Sequence, residues 1–332
     1  MRATLLLSVL VLAVVGCGSE SDETPSSGGA AGSSSGGSSS GGAAGSATGG
    51  SGGAATGGSA GSSSGGAAGS STGGAAGSGG SAGEIILKVD FEPAPTGPYT
   101  KSAMDLEWTG LKWAQGLTEG RVDIVEGAEA HSGKSLRILY PKGGVGPGEG
   151  GAQWLVNLPK SFDELYVSYW VKFGTGFDFV KGGKIPGLGG GANNTGGSKP
   201  DGTDGWSGRM MWRTGGDAVQ YLYHPDQPTI YGEDLGYDIG GQRSFVPGEW
   251  VQVEHHFVMN TPGQHDGIVE AWWNGQKAME RTDIRYRDVD TFAIDVFYFS
   301  TFFGGSGADW AATKDEYTYF DDFVISTGPI TH

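Results

Sequence analysis

The chain has almost no cysteine. Cys17 is the only one in 332 residues, so no intrachain disulfide can form and any folded part rests on its core. Basic residues are also scarce. Lys and Arg number 21 against 37 Asp and Glu, a net charge of −16 with neutral histidines. Such a surface repels polyanions at long range, which excludes nucleic acid as a natural partner. An anionic polymer can bind only where cations gather locally. Long apolar runs are missing apart from Leu5 to Val15, and that one is too short to span a bilayer. No amphipathic helix of three turns can be traced, and no His/Asp/Glu spacing typical of a catalytic metal is present.

What the chain does have is unevenly distributed. Residues 1–17 read as an export signal, with Arg2 ahead of the apolar run. The run ends in Val14-Val15-Gly16-Cys17, which matches the bacterial lipobox and marks Cys17 for acylation. Residues 18–83 are nearly all Gly, Ser and Ala, with nothing large to bury, and read as a disordered linker. As a flexible coil it would span roughly 45 Å root-mean-square. The expectation is an exported, lipid-anchored protein of a bacterial outer membrane or cell surface.

From Glu84 onward the composition changes, and every Trp, Tyr and Phe lies there. Residues 84–332 read as one domain, expected to be a monomer. Setting aside Arg2, Glu20, Asp22 and Glu23, this part keeps 20 basic and 34 acidic residues, net −14.

The domain reads as all-β. Leu165, Val167, Tyr169, Val171 and Phe173 alternate with Tyr166, Ser168, Trp170 and Lys172, the period of a strand with one apolar face. Val251, Val253, His255 and Phe257 repeat the pattern. Asn274-Gly275 between two strand-like runs signals a tight hairpin, because both residues accept positive φ. Further strands are expected at 86–91, 136–140, 152–157, 209–213, 219–223, 293–299 and 319–325. Many strands with Gly/Pro-rich turns point to a β-jelly roll, a lectin-like sandwich of two sheets. The similar ends of the domain, Lys88 to Glu92 and Tyr319 to Ile325, are expected to pair. The glycine-rich stretch Gly187–Gly205 is expected to be a mobile loop near the binding face.

Chemistry concentrates between Lys181 and His224. The stretch holds Lys181-Gly-Gly-Lys184-Ile-Pro-Gly, then Trp206-Ser207-Gly-Arg209-Met-Met-Trp212-Arg213, then Tyr221-Leu-Tyr223-His224. On strands, Ser207, Arg209, Met211 and Arg213 share one face, and so do Tyr221 and Tyr223. These segments, with Tyr298 to Gly305, Trp310 and Tyr319 to Phe323, resemble polysaccharide lyase family 14 over roughly residues 165–325.

The resemblance implies β-elimination on a uronate-containing polysaccharide, most readily alginate. That reaction needs a neutraliser for the C6 carboxylate, a base at C5 and a proton for the departing O4. Through the resemblance, Lys184 matches the required lysine, Ser207 and Arg209 a substrate-contacting pair, and Tyr221 and Tyr223 a pair important for catalysis. Arg209 is expected to clamp the carboxylate, with Lys181 and Arg213 adding to the field. Lys184, Tyr221 and Tyr223 form the acid/base set, and sequence does not say which takes the C5 proton. No cofactor is expected.

Milder readings stand beside these. Lys181 reads as a surface charge, Arg209 can pair with Asp217, and His224 reads as structural. His255 reads as a core histidine with its hydrogen bonds satisfied. Trp272, Trp273 and Trp310 can pack or stack on sugars, and Asp321-Asp322 can hold a structural cation. At the level of the whole domain, the rivals are a non-catalytic carbohydrate-binding module and a glycoside hydrolase.

Overall fold

The computed structural model describes residues 83–305 and 307–330. The expected signal with Cys17, and the linker as far as residue 82, lie outside the described residues. Sixteen strands carry the fold. In chain order they are β1 (Ile85–Val89), β2 (Gly97–Pro98), β3 (Leu111–Gln115), β4 (Val122–Glu126), β5 (Lys134–Tyr140) and β6 (Gly151–Phe162). Then come β7 (Glu164–Phe173), β8 (Gly182–Gly191), β9 (Gly205–Arg213), β10 (Ala218–Tyr223) and β11 (Glu233–Gly236). The last five are β12 (Trp250–Val258), β13 (Gly267–Trp273), β14 (Gln276–Ile284), β15 (Ile294–Phe303) and β16 (Glu316–Ser326).

Two antiparallel sheets form a jelly-roll sandwich. The first runs β14-β13-β12-β7-β16-β5-β4-β2, with β1 added on β16, and the second runs β11-β10-β9-β8-β15-β6-β3. The ends of the domain do pair, Val89 opposite Phe323. Asn274 and Gly275 both take positive φ, 49° and 75°, as the hairpin between β13 and β14 requires.

Alternation decides what enters the core. Leu165, Val167, Tyr169, Val171 and Phe173 of β7 are fully buried. They face Trp206, Met210 and Trp212 from β9, and Phe297, Phe299 and Phe303 from β15. Aromatic pairs join the two sheets: Phe173 meets Trp212 edge-on at 5.1 Å, and Phe299 meets Phe320 at 5.1 Å. Such contacts add to an already large burial of apolar surface.

The expected mobile loop is in part a central strand. Gly187–Gly191 belongs to β8, which lies between β9 and β15. Glycine is needed there for space, not for motion. A Cβ on Gly187 would sit 2.1 Å from the Gly208 carbonyl oxygen, and one on Gly190 would sit 1.6 Å from that of Ala293. The register of β8 shifts between Ile185 and Leu188 against β9, at Pro186, which has no N–H to give a ladder. Gly187→Ala is therefore expected to lower unfolding free energy by about 3 kcal/mol, read as a lower urea midpoint at unchanged m value.

His255 is a core histidine, as expected, but its hydrogen bonds are not satisfied. It is fully buried, and neither ring nitrogen has a partner among the described residues. Its neighbours Tyr169, Tyr237 and Phe257 offer ring edges. Burial pushes its pKa down to about 3, so it stays neutral and packs as an aromatic.

Candidate active site

The second sheet turns one face to the core and the other to an open trough. On β9, Trp206, Met210 and Trp212 go inward, and the alternate residues Arg209 and Arg213 line a cleft of about 800 Å³. Register then assembles the rest. Arg209 lies opposite Tyr221 of β10, Lys184 of β8 lies opposite Met211, and Phe302 of β15 lies opposite Lys184. Met211, Val219, Tyr221 and Tyr223 form a small apolar cluster separate from the main core. It is the floor on which the polar groups stand.

Lys184 is part-buried. Its Nζ lies 2.7 Å from Met211 Sδ and 3.8 Å from the centre of the Tyr221 ring. Among the described residues no carboxylate pairs with it. Burial comes first, then the guanidiniums of Arg209 and Arg213, in holding its pKa well below the ordinary lysine value. The side chain is therefore biased toward the neutral amine.

Arg209 is 2% exposed. Its Nη1 donates to Ser300 Oγ at 3.0 Å, its guanidinium lies 5.2 Å from the Tyr298 ring centre, and among the described residues its Nε has no partner. Among the described residues Asp217 does not pair with it; that carboxylate accepts from Ser244 Oγ at 2.6 Å. Burial lowers the Arg209 pKa, yet a guanidinium keeps its charge. A buried cation with an unused donor is ready for a ligand carboxylate.

The Tyr221 and Tyr223 rings meet edge-on at 5.5 Å. The Tyr221 hydroxyl oxygen accepts from the Gly232 N–H, and that of Tyr223 from the Gly197 N–H, both at 3.2 Å. Two loops are thereby tied over the phenols. Burial, then the neighbouring Tyr223, raises the Tyr221 pKa. The guanidiniums of Arg209 and Arg213 pull it the other way and are outweighed. Tyr221 stays a protonated phenol.

The remaining expected residues divide. Arg213 lines the cleft but is committed to Asp234, with contacts of 2.6 and 2.8 Å. Lys181 pairs with Asp309 at the surface, 6.0 Å from the ring centre of Trp310 on the cleft rim. Ser207 is off the cleft, fully buried, its hydroxyl donating to the Asn194 carbonyl at 2.6 Å. A residue on the right face of a strand is still closed off when a loop covers that end. His224 bonds Glu233 at 2.7 Å, a structural role. Trp273 packs in the main core, and Trp272 lies under Lys277. Asp321, Asp322 and His131 bring ligand atoms within 4.8 Å of one another, but Asp321 already accepts from Ser135 and the Ser132 N–H.

Tyr298, quoted in the sequence only as part of a family segment, and Gln153 line the cleft without a role assigned from sequence. Tyr298 lies against Arg209 and donates to Gln153 Oε1 at 2.5 Å, and Gln153 donates to Gln115 at 2.8 Å. The signal was present: Val296, Tyr298, Ser300 and Phe302 alternate with the core phenylalanines of β15. A run rich in phenylalanine hides that period.

A family model for polysaccharide lyase 14 matches residues 128–323, which span β5 to β16 and the whole cleft. The chain belongs to polysaccharide lyase family 14. Exolysin of Paramecium bursaria Chlorella virus 1 is 30% identical over an aligned stretch of 196, covering 49% of this chain. The chain spans only 29% of that protein's length. The marine PL-14 alginate lyase from Aplysia kurodai superposes with a TM-score of 0.62 at 28% identity, covering 74% of this chain and 100% of its own. A variant of the alginate lyase Aly36B, with one lysine and one tyrosine replaced by alanine and an alginate tetrasaccharide bound, gives 0.64 at 28%, covering 74% and 98%.

Proposed function

We propose that this lyase family 14 member cleaves alginate by β-elimination, with Lys184 as the base. The observation that carries this is an amine biased toward neutrality beside a buried, acid-free guanidinium. Arg209, with Ser300 and Tyr298 fixing its plane, holds the C6 carboxylate and makes the C5 proton acidic. Lys184 takes that proton. The C5–H electron pair forms the C4–C5 double bond, and the C4–O4 bond breaks. O4 leaves with its electron pair and takes a proton from Tyr221, which burial keeps protonated, or from its neighbour Tyr223.

The cleft's carboxylates support this over hydrolysis. Glycoside hydrolysis needs two free carboxyl groups roughly 5–9.5 Å apart. Glu233 is bound to His224, and Asp234 to Arg213. A purely binding module would gain nothing from a lysine biased toward its neutral form, because an uncharged amine is a poor partner for a carboxylate.

The test is a pH profile of kcat/KM on alginate, followed through the ultraviolet absorbance of unsaturated ends. The base works only when deprotonated, so activity is lost as pH falls through the Lys184 pKa. The rising limb is expected well below ~10.4, the value of an ordinary lysine, because burial and two guanidiniums lower it. A rising limb at the ordinary lysine value would show that Lys184 is not the base. The export signal, Cys17 anchor and linker fit an enzyme tethered at a cell surface. Loss of membrane partitioning in a Cys17→Ser chain tests that.

A further inference from the structure

Two exposed aromatic rings line neighbouring hollows. Tyr231, 51% exposed, lines the cleft with Lys184 and Arg209, and Trp113, 38% exposed, lines a second basin of about 690 Å³. Both basins are walled by Tyr298 and Thr195, so they are neighbours on one face of one sheet. The Trp113 ring meets Tyr298 edge-on at 6.0 Å. The second basin has a floor of Leu155, Val296 and Tyr298.

Its charges come from Lys112 on β3 and Lys160 on β6. In a chain of net charge −16, two lysines in one hollow are notable. Among the described residues neither has a carboxylate within ion-pair distance. The basin's acid, Asp295, is already used: both its oxygens lie 3.2 Å from the Gly191 N–H at the end of β8. Burial raises the Asp295 pKa, and the Gly191 N–H and Lys112 offset that only in part. The basin thus offers two exposed ammoniums, a ring and an apolar floor. Sugars present the same features in reverse: carboxylates on the rim and C–H faces that stack on indole.

We propose that the trough continues past Tyr298 into this second basin, where Lys112 and Lys160 hold the carboxylates of further uronate units and Trp113 carries a sugar ring. The inference rests on the lyase reading and assigns the enzyme a preference for long chains. The acidic protein binds its polyanion through this local pair of cations in addition to the catalytic ones.

The test compares an alginate tetrasaccharide with long alginate, using the full chain. In the Lys112→Ala/Lys160→Ala double variant, KM for the polymer should rise about tenfold at unchanged kcat, since two exposed charge contacts are lost. The tetrasaccharide should be turned over as before, and the Lys112→Arg/Lys160→Arg chain should restore the polymer KM. Added salt should narrow the gap between double variant and wild type. Equal losses on both substrates, or no loss on either, would overturn the proposal. If the wild-type chain formed no unsaturated ends, the lyase reading would fail, and electrophoresis through alginate-loaded gels would judge the basin. Retardation of wild type that the double variant loses supports it, and equal mobility overturns it.

Discussion

Lys184→Ala is expected to lower kcat/KM on alginate by about a thousandfold or more, within the range for loss of a positioned base. Stability should change little. The lysine stands on the trough side of β8, and the strand's ladders to β9 and β15 are made by backbone. Its side chain touches Met211 and the face of Tyr221, so truncation opens space toward solvent and leaves the main core intact. Two readouts separate the chemical role from a structural one. The variant should keep its affinity for alginate and its urea midpoint. Small primary amines added to the assay should recover part of the rate, because the vacated site is open. A variant that loses binding in proportion to rate would instead make Lys184 a substrate anchor.

Arg209→Lys is expected to lower kcat by about a hundredfold, the scale of losing one preorganised donor to developing charge. A lysine keeps the charge but not the planar fork. It could not meet Ser300 and still present two parallel donors to a carboxylate. Stability should move the other way for an apolar replacement. Arg209 is 2% exposed and its Nε has no partner among the described residues, so Arg209→Met removes a buried charge whose desolvation Ser300 and Tyr298 offset only in part. We expect Arg209→Met to be inactive yet at least as resistant to urea as wild type. A large drop in the midpoint would mean that the guanidinium holds the fold and not the substrate. The pair of results would show a site strained for its task.

Much of this was legible in the residue pattern. Alternation at 165–173 and 251–257 is strong because one face of each strand is wholly apolar. The Asn274-Gly275 hairpin is legible because few residues tolerate its φ. The faces of β9 and β10 each followed from period 2, and the resemblance to the lyase family brought Arg209, Tyr221 and Tyr223 into one site. Other parts were hidden for identifiable reasons. The Gly187–Gly191 half of β8 reads as loop because its glycines answer to neighbouring carbonyls, which composition does not reveal. Ser207 shares the Arg209 face, but the loop carrying Asn194 covers it, and periodicity says nothing about cover. Arg213 and Lys181 are neutralised by Asp234 and Asp309, partners 21 and 128 residues away in sequence. Asp234 sits on β11, a strand of four residues too short and polar to be read. The state of Lys184 depends on burial among Arg209, Arg213 and Tyr221, which only the folded sheet supplies.

The account stands on elimination carried by a neutral amine beside a buried guanidinium. The most direct measurement is the growth of ultraviolet absorbance when purified wild-type and Lys184→Ala proteins are mixed with alginate, alongside a count of new reducing ends. The account predicts matched growth of both signals for wild type and neither for the variant. New reducing ends without absorbance, or equal absorbance from the variant, would contradict it.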